Sequence, residues 1–180
     1  MKTFKLLFLV TLILSFLSCK NEQRSIETPE AVTSTYYFIR HAEKDRTDPG
    51  NIDPELNQKG LGRAMHWAEI LKDIPLDAIY TTDYERTAMT AAPSAVKQDL
   101  NVTYYDPETV DINQFKNNHL GQNVLVVGHS NSTPTFVNKV LGEERYESMS
   151  DYDNGSLFIV QITGSDVSSQ RLHFNCNCPD

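Results

Sequence analysis

At 180 residues, with 39% hydrophobic and 22% charged side chains, the chain is long enough for one domain with an ordinary buried core. Its 24 acidic against 16 basic side chains set a formal charge of −8, which argues against a general nucleic-acid binder because no basic footprint is offered to a phosphate backbone. The composition also argues against a disordered tail and a collagen-like repeat.

The chain starts with Lys2 and Lys5 and then an apolar run, Leu6 to Leu17, too short to cross a bilayer comfortably. Residues 1–18 read as a signal peptide. The sequence Phe16-Leu17-Ser18-Cys19 at its end resembles a bacterial lipobox, so cleavage before Cys19 and lipidation of Cys19 are expected, with an ordinary signal peptide as the alternative. The mature chain would have 162 residues, 14 basic and 24 acidic, and a charge of about −10. It is expected to be extracytoplasmic, lipid-anchored to a bacterial membrane and monomeric. Residues 19–34, polar and carrying Pro29, read as a flexible tether, 35–175 as the folded domain and 176–180 as a tail. A Cys176–Cys178 disulfide would close a very small ring. With His173 the pair could form a metal clip, but a fourth ligand is missing, so a plain tail is expected and no metal.

Short β-favouring runs follow the tether at Tyr36–Ile39, Ala78–Tyr80, Val102–Tyr105, Val124–Val127 and Leu157–Val160. Between them lie helical patterns. Leu61, Ala64, Met65, Ala68 and Leu71 form one apolar stripe with Asn57 placed to cap it, and Arg86 to Val96 forms a second helix after the capping candidates Thr82 and Asp83. A third begins with Thr133 as N-cap and Pro134 at the first helical position and closes at Gly142. Strands alternating with helices, and a strand as continuously apolar as Val124–Val127, predict an α/β fold: a three-layer α/β/α sandwich around a mostly parallel sheet. His66-Trp67 reads as a surface or packing pair and His119 as non-catalytic.

In such folds ligands bind beyond the carboxyl ends of the strands. Arg40-His41-Ala42-Glu43 directly follows the first strand and Gly128-His129-Ser130-Asn131 directly follows the fourth. Arg86 falls in the first turn of a helix, where the dipole disfavours a cation, so anion binding is the better reading for it.

Together these residues resemble the histidine phosphatase superfamily, which includes the phosphoglycerate mutases and the small phosphohistidine phosphatases. Arg40-His41 resembles the Arg-His-Gly signature, Leu56-Asn57-Gln58-Lys59-Gly60 with Arg63-Ala64 the Leu-Thr-x-x-Gly segment, Thr82 to Ala92 the Ser-x-x-x-Arg-x-x-x-Thr-Ala helix, and Gly128-His129-Ser130 the second histidine motif. Ala42 stands in place of a glycine and Thr82 in place of a serine. The resemblance implies a phosphoglycerate mutase-like fold and a phosphatase acting on phosphomonoesters or phosphohistidine. His41 would be the nucleophile, with Arg40, Arg86 and a protonated His129 holding the phosphoryl group. Glu108 is the first choice of general acid, with Asp106, Asp111 and Glu43 as alternatives, and Arg46 and Ser130 are further candidates for substrate contact. The partners implied are a small phosphorylated substrate or a phosphohistidine protein, with no cofactor. A non-catalytic phosphate-ligand or partner-binding lipoprotein of the same fold is the alternative, and a phosphoglycerate mutase a more distant one.

Overall fold

The computed structural model describes residues 31–179. The signal peptide, Cys19 and most of the tether lie outside the described residues. Six strands form one sheet: β1 (Thr33–Arg40), β2 (Ala78–Thr81), β3 (Val102–Tyr104), β4 (Asn123–Gly128), β5 (Ser156–Thr163) and β6 (Asp166–His173). Their order is β3-β2-β4-β1-β5-β6. The pairs β2–β3, β2–β4 and β1–β4 are parallel, whereas β5 runs antiparallel to β1 and β6 antiparallel to β5. The expected three layers are present, and the sheet is mixed.

Alternation along β1 explains the layers, because neighbouring strand residues point to opposite faces. Tyr36 and Phe38 enter one core with Phe115 of α3 (Ile112–Asn118) and Phe136, Val137 and Val140 of α4 (Ser132–Leu141). Ile39 enters the other, with Trp67 of α1 (Gln58–Ile70) and Ala91 and Ala95 of α2 (Glu85–Gln98). The helix after β1 therefore covers one face and the helix after β4 the other. Since β1 and β4 are neighbours, their carboxyl ends part into a crevice, the topological switch point at which α/β folds bind ligands.

Several boundaries differ from the sequence-based expectation. β1 takes in Thr33 and Ser34, assigned above to the tether, and the Ser34 hydroxyl accepts a hydrogen bond from the Gly121 amide. Asn57 caps α1 as expected, accepting from the Gly60 amide. The buried stripe of α1 is rotated from the expected one: Arg63 and Trp67 are buried, whereas Leu61 and Met65 are exposed. Helix α2 starts after Tyr84, so neither Thr82 nor Asp83 is its N-cap. In α4 the N-cap is Asn131, two residues before the expected Thr133, while Gly142 does end the helix with φ of 77°. Helix α3 and strand β6 were not foreseen. The turn before β6, Gly164-Ser165 with Gly164 at φ of 59°, is a two-residue hairpin signal present in the chain.

The segment after β6 packs back on α1: the Phe174 ring lies 5.7 Å from that of Trp67, and Cys178 lies against Gly62. Cys176 and Cys178, read above as a plain tail, are bonded to each other. Trp67 is 0% and Met65 58% exposed. Trp67→Ala is therefore expected to lower the free energy of unfolding by ~3–5 kcal/mol in urea denaturation. Met65→Ala should change it by less than about 0.5 kcal/mol.

Candidate active site

The parallel register pairs Arg40 with Gly128, so the next residues, His41 and His129, leave adjacent strands side by side. Their rings lie 5.5 Å apart. Three backbone contacts hold the His41–Ala42 turn: the His41 amide donates to the Gly128 carbonyl (2.9 Å), Asn154 Nδ2 donates to the His41 carbonyl (2.8 Å), and the Ala42 amide donates to Thr90 Oγ1 (2.9 Å). Gly128 has no room for a side chain, since a Cβ there would lie 2.8 Å from Thr133 Oγ1 and 3.1 Å from the Tyr105 hydroxyl.

His41 Nδ1 lies 2.7 Å from the Ala42 carbonyl oxygen, which can only accept, so this nitrogen carries the proton and Nε2 is left as the free lone pair. Burial, and after it the charge of Arg40, lower the His41 pKa to about 3 against the opposing hydrogen bond to Ala42. The imidazole is thus a neutral nucleophile. His129 Nε2 is 2.8 Å from Thr82 Oγ1, and Arg86 Nη2 faces its Nδ1 at 3.5 Å. Because the guanidinium can only donate, Nδ1 is the acceptor and Nε2 donates to Thr82. Burial, then Arg86 and Arg40, lower the His129 pKa to about 4. The expectation of a protonated His129 is therefore corrected for the free site: next to two guanidinium groups in a partly dry pocket, the neutral form wins.

Arg40, 2% exposed, donates through Nη1 to the Ser150 carbonyl (2.8 Å) and through Nη2 to Asp151 Oδ1 (2.6 Å). Arg86 donates through Nη1 to Asp53 Oδ1 (3.1 Å) and stacks on Tyr84, 4.3 Å from the ring centroid. Asp53 also accepts from the Glu85 amide at the start of α2, supplying from another loop the cap that Tyr84 lacks. Both arginine Nε atoms, and the Tyr105 hydroxyl, are buried without a hydrogen-bond partner. All three residues line one cavity of about 650 Å³, together with His41, His129, Ser130, Lys44, Asp106 and Glu108. Buried polar atoms are rarely left unpaired, so a cluster of orphaned donors around two histidines points to an anion as the fitting ligand.

The remaining candidates separate clearly. Glu108 and Asp106 line the cavity, and Asp106 Oδ1 accepts from the Glu108 amide (2.9 Å) in a local turn. Asp111 does not line it: its carboxylate caps α3, accepting from the Asn113 and Gln114 amides. Glu43 is taken by Arg63, whose Nε and Nη2 lie 2.7 to 2.9 Å from its carboxylate. That pairing removes it as a proton donor and makes it a brace between the His41 loop and α1. Arg46 is also outside the lining and pairs with Asp151 at 2.8 Å. Asp53, Asp151 and Asn154 were missed as site residues, because each reaches the site through a loop return that no local spacing announces; Thr82, which directly follows β2 and is read above as a motif position and capping candidate, is here the His129 partner. Among the described residues no group of three or more His, Cys, Asp or Glu side chains could hold a metal.

Residues 36–107 match the histidine phosphatase superfamily, branch 1. That span holds His41 and Arg86 and ends before His129. Among curated proteins, the 2,3-bisphosphoglycerate-dependent phosphoglycerate mutase of Chlamydia caviae is 40% identical over 42 residues, 23% of this chain and 18% of that enzyme, and the Chlamydia abortus counterpart is 45% identical over the same shares. The matched segment thus spans less than a fifth of these relatives. Whole-fold similarity is wider. A phosphoglycerate mutase from Bacillus anthracis superposes with a TM-score of 0.60 and 14% identity, over 79% of this chain and 94% of that one. The alpha-ribazole phosphatase of Shigella flexneri gives 0.60 and 15%, over 78% and 96%. A structure assigned as the phosphohistidine phosphatase SixA of Agrobacterium tumefaciens gives 0.56 and 18%, over 77% and 97%. At 14–18% identity these likenesses show the fold, a phosphoglycerate mutase-like α/β sandwich.

The two low pKa values carry a stability consequence. Each histidine binds its proton more weakly folded than unfolded, so stability is highest above about pH 6.5 and falls as pH drops toward the folded values. Imidazole NMR signals of His41 and His129 should stay in the neutral position from pH 8 down to 5; titration of either near 6.5 would contradict the assignment.

Proposed function

We propose that the chain is a phosphatase that hydrolyses phosphomonoesters or phosphohistidine through a phosphohistidine intermediate on His41. The observation carrying this reading is one cavity lined by two arginines, each with a buried Nε that has no partner, and by a neutral histidine whose Nε2 lone pair is free. In the first step Nε2 attacks phosphorus, an N–P bond forms, and the P–O bond to the leaving group breaks. Glu108 gives its proton to the departing oxygen. Water then attacks the phosphohistidine, Glu108 takes the water proton, the N–P bond breaks with its electron pair returning to Nε2, and inorganic phosphate leaves.

Arg40 and Arg86 act chiefly by charge. The transition state spreads negative charge over the equatorial oxygens, and guanidinium donors already in place stabilise it without reorganisation. The incoming dianion also favours protonation of His129, which would turn a neutral neighbour into a third cation. Glu108 is favoured as the acid because it lines the cavity and its carboxylate has no ion-pair partner among the described residues, whereas Glu43 and Asp111 are committed elsewhere.

The signal-like start and Cys19 support an extracytoplasmic, lipid-anchored enzyme. Export also disfavours a glycolytic mutase, whose pathway is cytoplasmic. The second reading, a phosphate-binding lipoprotein without turnover, is disfavoured by the retained nucleophile.

Purified protein from Ser25 onward should hydrolyse a chromogenic phosphomonoester, and His41→Ala should reduce kcat by at least about 10³-fold. Equal activity of the two would refute the reading. Glu108→Gln is expected to lower kcat by about 10²-fold or more on an alkyl phosphate but much less on a nitrophenyl ester, whose leaving group needs no proton. Membrane fractionation tests the anchor separately: Cys19→Ser should release the protein, and unchanged partitioning would contradict lipidation.

A further inference from the structure

The cavity sorts its charges along the sheet. The residues from the ends of β1 and β4 bring Arg40, His41, Lys44 and His129, with Asp151 already neutralised by Arg40 and Arg46. The wall toward β2 and β3 is different. Asp83 follows β2, Asp106 and Glu108 follow β3, and none of the three has an ion-pair partner among the described residues. The cation of that end, Arg86, is turned to Asp53 and His129, and Lys139 donates to the Pro107 carbonyl from outside the lining. The exposed ring of Tyr84 completes this wall.

A leaving group directed from the arginine-bound phosphoryl toward the ends of β2 and β3 meets this acidic wall, whereas toward β1 it meets Asp151 already paired with Arg40 and Arg46. Resting on the phosphatase reading above, we infer that the substrate is a phosphomonoester whose leaving group carries an ammonium or comparable cationic group. Asp83 and Asp106 recognise that group; Glu108, the proton donor, serves the bridging oxygen. A leaving group with its own carboxylate would meet two or three like charges without a counter-ion. The Tyr84 ring already carries the Arg86 guanidinium and packs edge-on against His129, so the cation-recognising groups of this wall are its carboxylates. The arginines near the phosphoryl site thus do not predict a taste for doubly anionic substrates.

The experiment compares kcat/KM for O-phosphoethanolamine, glycerol phosphate and 3-phosphoglycerate, three alkyl phosphates differing in the charge of the leaving group. Phosphoethanolamine should be preferred over 3-phosphoglycerate by about tenfold or more, with glycerol phosphate between them. Asp83→Asn, at an exposed residue, should narrow that ratio by about two- to fivefold. Equal or better use of 3-phosphoglycerate, or a ratio unmoved in Asp83→Asn, would overturn the inference. If no phosphate ester is hydrolysed, the phosphatase reading is what fails. Calorimetric binding of the three esters to the unmodified protein then decides the inference: tighter phosphoethanolamine binding supports it, and an equal or reversed order overturns it.

Discussion

Two guanidinium groups held largely out of water set the terms for everything around them. A buried charge must be paired, yet a fully paired arginine has nothing left for a ligand. Arg40 and Arg86 split their donors: Nη atoms go to Ser150, Asp151 and Asp53, while each Nε stays buried without a partner in a residue that lines the cavity. The acidic partners come from the loops between β1 and α1 and between α4 and β5, so the pairing also ties those loops over the sheet. Hydrogen bonding from Arg46, and then from Arg40, lowers the Asp151 pKa to about 2, which keeps that tie charged at neutral and mildly acidic pH.

The same positive charge explains the histidines. Side by side and partly buried beside two arginines, neither imidazole can readily take a proton, and the hydrogen bond to Ala42 leaves the His41 Nε2 lone pair free. Nucleophile and anion cradle are thus one electrostatic arrangement, in which the feature that binds phosphate also keeps the attacking nitrogen unprotonated. An acidic protein can bind an anion on these terms because the field that matters is local.

Much of this was legible in the sequence where a strand end and a chemical residue coincide. Arg40-His41 and Gly128-His129 stand directly after apolar strands, and Arg86 stands where a helix dipole makes a cation expensive. What escaped was long-range. The Asp53 cap on α2, the Asp151 pair with Arg40 and the Asn154 bond to His41 join residues 32, 111 and 113 positions apart, and composition carries no trace of them. Glu43, adjacent to the nucleophile motif, was misleading for the same reason, since its partner Arg63 lies a helix away. The rotated stripe of α1 has the same cause: Arg63 is buried because Glu43 pairs its charge, and a polar residue so buried does not count toward an apolar period.

The central claim is that His41 carries the phosphoryl group during turnover. Rapid acid-free quench of the enzyme with a radiolabelled phosphate ester, followed by peptide mapping, tests it most directly. The account predicts a label on the peptide containing His41, stable to base and lost in acid, and absent from His41→Ala. A label on a carboxylate or hydroxyl side chain, or one that persists at full yield in His41→Ala, would contradict it.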